Sequence, residues 1–114
     1  MEISILQKQL GIYIISVGGA IDSTACRELQ KKIESIMDPT TKVILLDLSG
    51  IEVIDEGSIS ILSKIDVFLK KNHTRLFIVK PQERVDNIFK ISTLLPHIKM
   101  LDNIEEVDKY ISNL

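Results

Sequence analysis

Four carboxylates and a serine crowd one stretch of this chain, in the order Asp47, Glu52, Asp55, Glu56 and Ser58. Hard cations bind such oxygens, so a magnesium site is one reading of the cluster. Solvated loop acids plus a helix cap is the plainer reading, and the one preferred here. A phosphate-accepting aspartate after a central strand would also need an acidic pair after the first parallel strand and a lysine after the last. Ile15-Ser16-Val17-Gly18 and Leu101-Asp102-Asn103 supply neither. Ser58 falls in the first turn of a helix, where serine is common without any function. As a phosphoacceptor it would carry about −1.5 to −2 charges at the positive end of a helix dipole. A partner docked there would have to desolvate that charge, so modification would switch binding with little change in fold.

The remaining candidates for chemistry are weak. Cys26 sits in an apolar stripe with Leu29 and Ile33, with nothing nearby to stabilise a thiolate, and reads as core. His73 and His97 share no spacing with a nucleophile or with each other. Gly18-Gly19 lacks the spacing of a phosphate-cradling loop, and no lysine-bearing P-loop, nucleophile elbow or paired-cysteine motif occurs. No enzyme signature is present and no cofactor is implied.

Composition narrows the class further. The chain has 114 residues, enough for a single core, so one domain over 1–114 is expected. A net charge of −2 gives no basic field for nucleic acid and no polybasic membrane anchor. One cysteine permits no intrachain disulfide, which fits a reducing compartment. Met1-Glu2-Ile3-Ser4 lacks the basic region of a signal peptide, and no apolar run approaches membrane-span length. A cytoplasmic, complete protein is expected.

The elements that must position these residues follow from the apolar pattern. Glu2 to Lys8, with Ile3 and Ile5 alternating against polar residues, reads as a half-buried strand; Ile12 to Val17 reads as a strand covered on both faces. Gly11 joins them as an antiparallel hairpin, and Gly18-Gly19 is expected to break the second strand. Asp22 or Ser23 caps a helix whose stripe is Cys26, Leu29, Ile33 and Ile36, ended by Asp38-Pro39. Val43 to Leu46 reads as a buried parallel strand ending in a polar loop. The helix after Asp55 presents Ile59, Leu62, Ile65 and Leu69 to the core, with Ile61 and Phe68 beside them. Leu76 to Val79 forms a fourth strand, Glu83 to Leu94 a third helix and Ile98 to Leu101 a short edge strand. Asn103 and Glu106 have capping-box spacing for a last helix with Ile104, Val107, Ile111 and Leu114 on one face. The expected fold is therefore α/β, a mostly parallel sheet of four or five strands with four helices. The Gly19–Ser23 and Asp47–Ser58 segments both belong at the carboxyl ends of the strands, where such folds place their sites.

Those segments together resemble the STAS domain, especially the bacterial anti-sigma-factor antagonists. Gly19-Ala20-Ile21-Asp22 matches the family's G-x-[IL]-D motif after the second strand. The run from Asp47-Leu48-Ser49-Gly50-Ile51 through Ile54-Asp55-Glu56-Gly57-Ser58 resembles its D-L-[SG]-G-[VI]-x-x-[IM]-D-[ST]-[ST]-G motif. The Val85 to Leu94 segment also looks similar, so the likeness covers essentially the whole chain. The resemblance implies a non-enzymatic binding switch that captures an anti-sigma factor, itself a serine kinase of the histidine-kinase-like ATPase fold. It implies that phosphorylation of the residue before the motif's last glycine releases the partner, and that a phosphatase resets the cycle. The implied contact surface combines Asp22 and Ser23 with Asp55, Glu56, Gly57, Ser58, Ile59, Ser60 and Lys64.

This chain departs from the motif at the decisive place. Gly57 stands at the usual acceptor position, Ser58 where the family has glycine, and Glu56 where the first hydroxylated residue belongs. A one-residue offset turns a helical side chain by about 100°. Ser58 is then an offset acceptor, phosphorylation is lost, or Glu56 partly imitates the phosphorylated state. Lost or altered phosphorylation is the preferred reading. The alternative function is a STAS subunit of another assembly, such as a transporter ATPase complex or a stress-signalling complex, holding its partner without a kinase cycle.

Overall fold

An antiparallel hairpin opens the chain, with β1 (Glu2–Gln9) paired to β2 (Ile12–Ile21). The computed structural model describes residues 1–81 and 95–112. Gly11 makes the turn with φ +80°, and a Cβ there would collide with the Thr40 carbonyl oxygen. Helix α1 (Ser23–Ile36), β3 (Val43–Ile54), α2 (Glu56–Lys71), β4 (Arg75–Val79) and β5 (Lys99–Leu101) follow. A 3-10 turn, Ile104–Val107, runs into a short α-helical turn, Asp108–Ile111, and the two together are α3. The sheet order is β1-β2-β3-β4-β5, antiparallel between β1 and β2 and parallel thereafter.

Alternation along the strands builds two cores. Ile15, Val17, Ile44, Leu46, Leu48, Leu76 and Ile78 face one side and meet Cys26, Leu29 and Ile33 of α1 and Ile59, Leu62, Ile65 and Leu69 of α2. Ile12, Ile14, Val43, Leu45, Phe77 and Val79 face the other and meet Val107 and Ile111 of α3. Both helical stripes expected from the sequence are buried, with Ile36 and Phe68 half-buried at their margins.

Three elements differ from expectation. Gly18-Gly19 does not end β2, and β3 does not stop at Leu46: both strands continue, to Ile21 and Ile54. Their ladder slips between Ser16 and Gly18 and again between Gly19 and Ala20. These slips let the glycines, Asp47 and Ser49 sit in strands that regular alternation would exclude. Gly19 takes φ +85°, a conformation that favours glycine. β1 is more exposed than a half-buried strand: Ile3 alone is half-buried, and Ile5 is 41% exposed. Among the described residues there are three helices. The helix expected over Glu83 to Leu94, with Val85, Ile88, Phe89 and Ile91, lies outside them, as does Leu114.

Candidate functional site

Parallel pairing of β2 with β3 brings their carboxyl ends, and the starts of α1 and α2, to one end of the sheet. Asp55 donates its backbone N–H to the Ile21 carbonyl at 3.2 Å, which fixes the two crossings together. Each helix starts on an aspartate. The Asp22 carboxylate accepts from the Ala25 N–H at 2.8 Å, and the Asp55 carboxylate accepts from the Ser58 N–H at 2.8 Å. These are N-caps that satisfy first-turn donors. Asp22, not Ser23, is therefore the cap of α1, and Ser23 is its first residue.

Ser58 is fully buried. Its hydroxyl donates to Asp55 Oδ1 at 2.7 Å and lies 3.4 Å from the Ile21 carbonyl oxygen. The side chain therefore bolts α2 to the end of β2 and offers no hydroxyl to solvent. The Cys26 thiol donates to the Ser58 carbonyl at 3.7 Å beneath it, and burial pushes that thiol up to about 11. It is a neutral core side chain, as its stripe implied.

The Ser58 hydroxyl and then the Ser58 N–H hold the Asp55 carboxyl below the ordinary carboxylate range, with the Ser23 N–H adding to them against a small opposing effect of burial. A carboxylate with a depressed folded-state pKa stabilises the fold above its unfolded pKa of about 3.9 and loses that contribution as pH falls through the folded value. Asp55→Ala is accordingly expected to cost about 1 kcal/mol at neutral pH. The deficit should shrink once pH drops below about 4, which urea denaturation across a pH series will measure.

Gly57 is exposed and faces Ser23 across the gap between the two helix starts. A Cβ on Gly57 would sit 3.3 Å from the Ser23 Cβ and 3.6 Å from Asp55 Oδ1. The two segments expected to share a surface are thus in van der Waals reach. Asp22, Asp55, Glu56, Ser60 and Lys64 are exposed and Ser23 is half-buried on the same side of the fold. Ile59 departs from its assignment as a contact residue: it is 2% exposed and belongs to the core with Leu62.

Val67 shares the exposed face of α2 with Ser60 and Lys64 and was not singled out from the sequence. Ser60, Lys64 and Val67 follow at i, i+4 and i+7 along α2, one helical face, and Val67 is 50% exposed. Its spacing from Ser60 was the available signal. Val53, 54% exposed just before the loop, was hidden by the slipped ladder of β3.

The acidic cluster does not converge. Asp47 is on the α3 side of the sheet, where its carboxylate accepts the Ser49 N–H at 2.9 Å and lies 3.5 Å from the Ser16 hydroxyl. Among the described residues no group of three or more His, Cys, Asp or Glu is arranged to hold a metal ion. No described helix is long and apolar enough to cross a membrane.

The sequence model of one domain family, the STAS domain, matches residues 4–107. Solved structures of similar fold include the anti-sigma factor antagonist SpoIIAA in its unphosphorylated form, 16% identical over 97% of each chain with a TM-score of 0.76. A variant of RsbS from Moorella thermoacetica is 15% identical over 99% of this chain and 97% of its own, with a TM-score of 0.77. The murine Slc26a9 anion transporter matches 95% of this chain with 19% of its own length, at 19% identity and a TM-score of 0.75.

Proposed function

This chain belongs to the STAS domain family, and from that premise we propose that it is an anti-sigma-factor antagonist whose capture surface is the joined start of α1 and α2. Its partner is an anti-sigma factor of the serine-kinase type, with the histidine-kinase-like ATPase fold. The contact set is Asp22, Ser23, Asp55, Glu56, Gly57, Ser60, Lys64 and Val67. The observation that carries this reading is the approach of Gly57 to Ser23, which makes one continuous face from two separate segments. Ser58 and Ile59 support that face from beneath.

Regulation is altered in this proposal. The acceptor position of the family is Gly57, which has no hydroxyl, and the neighbouring Ser58 hydroxyl is buried and already bonded to Asp55. Capture is then constitutive, and no phosphatase is needed to reset it. Loss of the hydroxyl also favours a second reading, in which the chain holds a partner in another assembly without a kinase cycle. The likeness in fold to a segment of a transporter is compatible with that role.

Affinity capture on the tagged chain, with mass spectrometry of the retained proteins, tests both. Recovery of a kinase-fold anti-sigma factor supports the first reading. A transporter ATPase or a multi-STAS complex in its place supports the second.

A further inference from the structure

The outer edge of β1 is the most exposed apolar feature among the described residues. No described strand lies beyond β1 in the sheet, so alternate N–H and C=O groups along it have no ladder partner. Ile5 is 41% exposed, Leu6 63% and Leu10 78%. Natural edges are blunted by shortness, charged side chains, proline, bulges or a cover, and the charges of β1, Glu2 and Lys8, stand only at its ends. β1 runs for 8 residues without proline, and its one irregularity comes at the end, between Gln7 and Gln9. The opposite edge strand, β5, has only 3 residues.

The order of residues along β1 says what covers it. Its regular part reads Glu2-Ile3-Ser4-Ile5-Leu6-Gln7-Lys8 and is complementary to itself when reversed. Antiparallel pairing about Ile5 sets Glu2 opposite Lys8 of a second copy, Ile3 opposite Gln7, Ser4 opposite Leu6, and Ile5 opposite Ile5. Opposed residues in an antiparallel pair lie on the same face of a sheet, and the two charges satisfy this condition. Glu2 borders the depression on the α3 side with Ser16, Gly18 and Asp47, and Lys8 reaches Asp108 of α3 at 3.4 Å. Ile5 meets Ile5 on the opposite face. The two Leu6 side chains become diagonal neighbours, within reach for long side chains.

We propose that two copies of this chain associate through β1 across a two-fold axis at Ile5, forming one continuous ten-stranded sheet. Antiparallel pairing points the parallel strands of the two copies in opposite directions. Each copy's capture surface then stays free, at opposite ends of the pair, and the dimer is bivalent. The bivalence rests on the proposed capture surface, and the pairing itself on β1 alone.

Site-specific cross-linking reads the register. Under a mild thiol oxidant Ile5→Cys should give a disulfide-linked dimer in high yield, because its own counterpart lies opposite. Gln7→Cys should give little, since its counterpart in the second copy is four residues away along the strand, about 13 Å. The wild-type chain, with Cys26 buried, is the background control. In parallel, light scattering should show the wild type as a dimer. Glu2→Lys should weaken it about tenfold by turning two attractive pairs repulsive, and adding Lys8→Glu should restore it. A wild-type mass that stays monomeric, or equal cross-linking at positions 5 and 7, would overturn the pairing.

Discussion

Gly57→Ser is expected to take up close to one phosphate per chain from the proposed serine-kinase partner, while the wild type takes up none. The substitution supplies a hydroxyl at the proposed acceptor position, which is exposed in the first turn of α2, and leaves the buried Ser58 bolt intact. Its Cβ would stand 3.3 Å from the Ser23 Cβ, so one of the two helix starts must give by a few tenths of an ångström. The start of α1 shifts slightly to admit it. The phosphate would lie at the helix N-terminus, where the dipole favours it. It would also stand beside Asp55 and Glu56, so the modified surface becomes more anionic and should shed its partner. Swapping both residues, as Gly57→Ser with Ser58→Gly, restores the whole motif but removes the buried hydroxyl, so it should label as well and fold less stably. Intact-mass spectrometry of wild type, Ser58→Ala and both variants decides the matter. Full labelling of wild type that vanishes in Ser58→Ala would make Ser58 the acceptor and refute the account of regulation.

Ile59→Asp should unfold most of the chain. Ile59 is 2% exposed among Leu62, Ile65 and the inner faces of β2 and β3. An aspartate there loses the transfer energy of the isoleucine and buries a carboxylate with no designed partner. Both terms together exceed about 4 kcal/mol, a large part of the roughly 5–15 kcal/mol that holds a domain of this kind. Circular dichroism and a urea melt should show loss of the cooperative transition at ordinary temperature. A well-folded Ile59→Asp would mean that the start of α2 is not packed as described. The same substitution cannot report on binding, because its effect on folding comes first.

The parts of this fold written in simple periodicity were legible. Cys26, Leu29 and Ile33 on α1, and Ile59 through Leu69 on α2, repeat at helical spacing and are buried. Asp22 and Asp55 announce the caps by residue type and place. The ends of β2 and β3 were not legible, because two register slips remove the alternation on which strand reading depends. Gly18, Gly19 and Gly50 then look like loop residues when they are ladder residues, and Ser49 sits in the slip between them. The motif pointed to the strand ends, yet it could not separate Gly57, exposed, from Ser58, buried. That distinction follows from the turn after Asp55, which leaves Gly57 facing outward and sets the Ser58 hydroxyl against the Ile21 carbonyl. The capping box of α3 was nearly right: Asn103 accepts from the Glu106 N–H at 3.1 Å, but the Glu106 carboxylate receives the Asp102 N–H instead.

Titration calorimetry of the proposed anti-sigma-factor partner with Ser60→Arg tests the proposed capture surface most directly. Ser60 is exposed on the first full turn of α2, so arginine there leaves the core untouched. A bulky, mismatched charge pressed into a desolvated contact costs several kcal/mol, so affinity should fall about a hundredfold or more. Lys109→Glu, exposed on α3 at the far face, should bind like wild type. Wild-type affinity from a Ser60→Arg chain that retains its circular dichroism spectrum and melting transition would contradict the account and place the interface on another face.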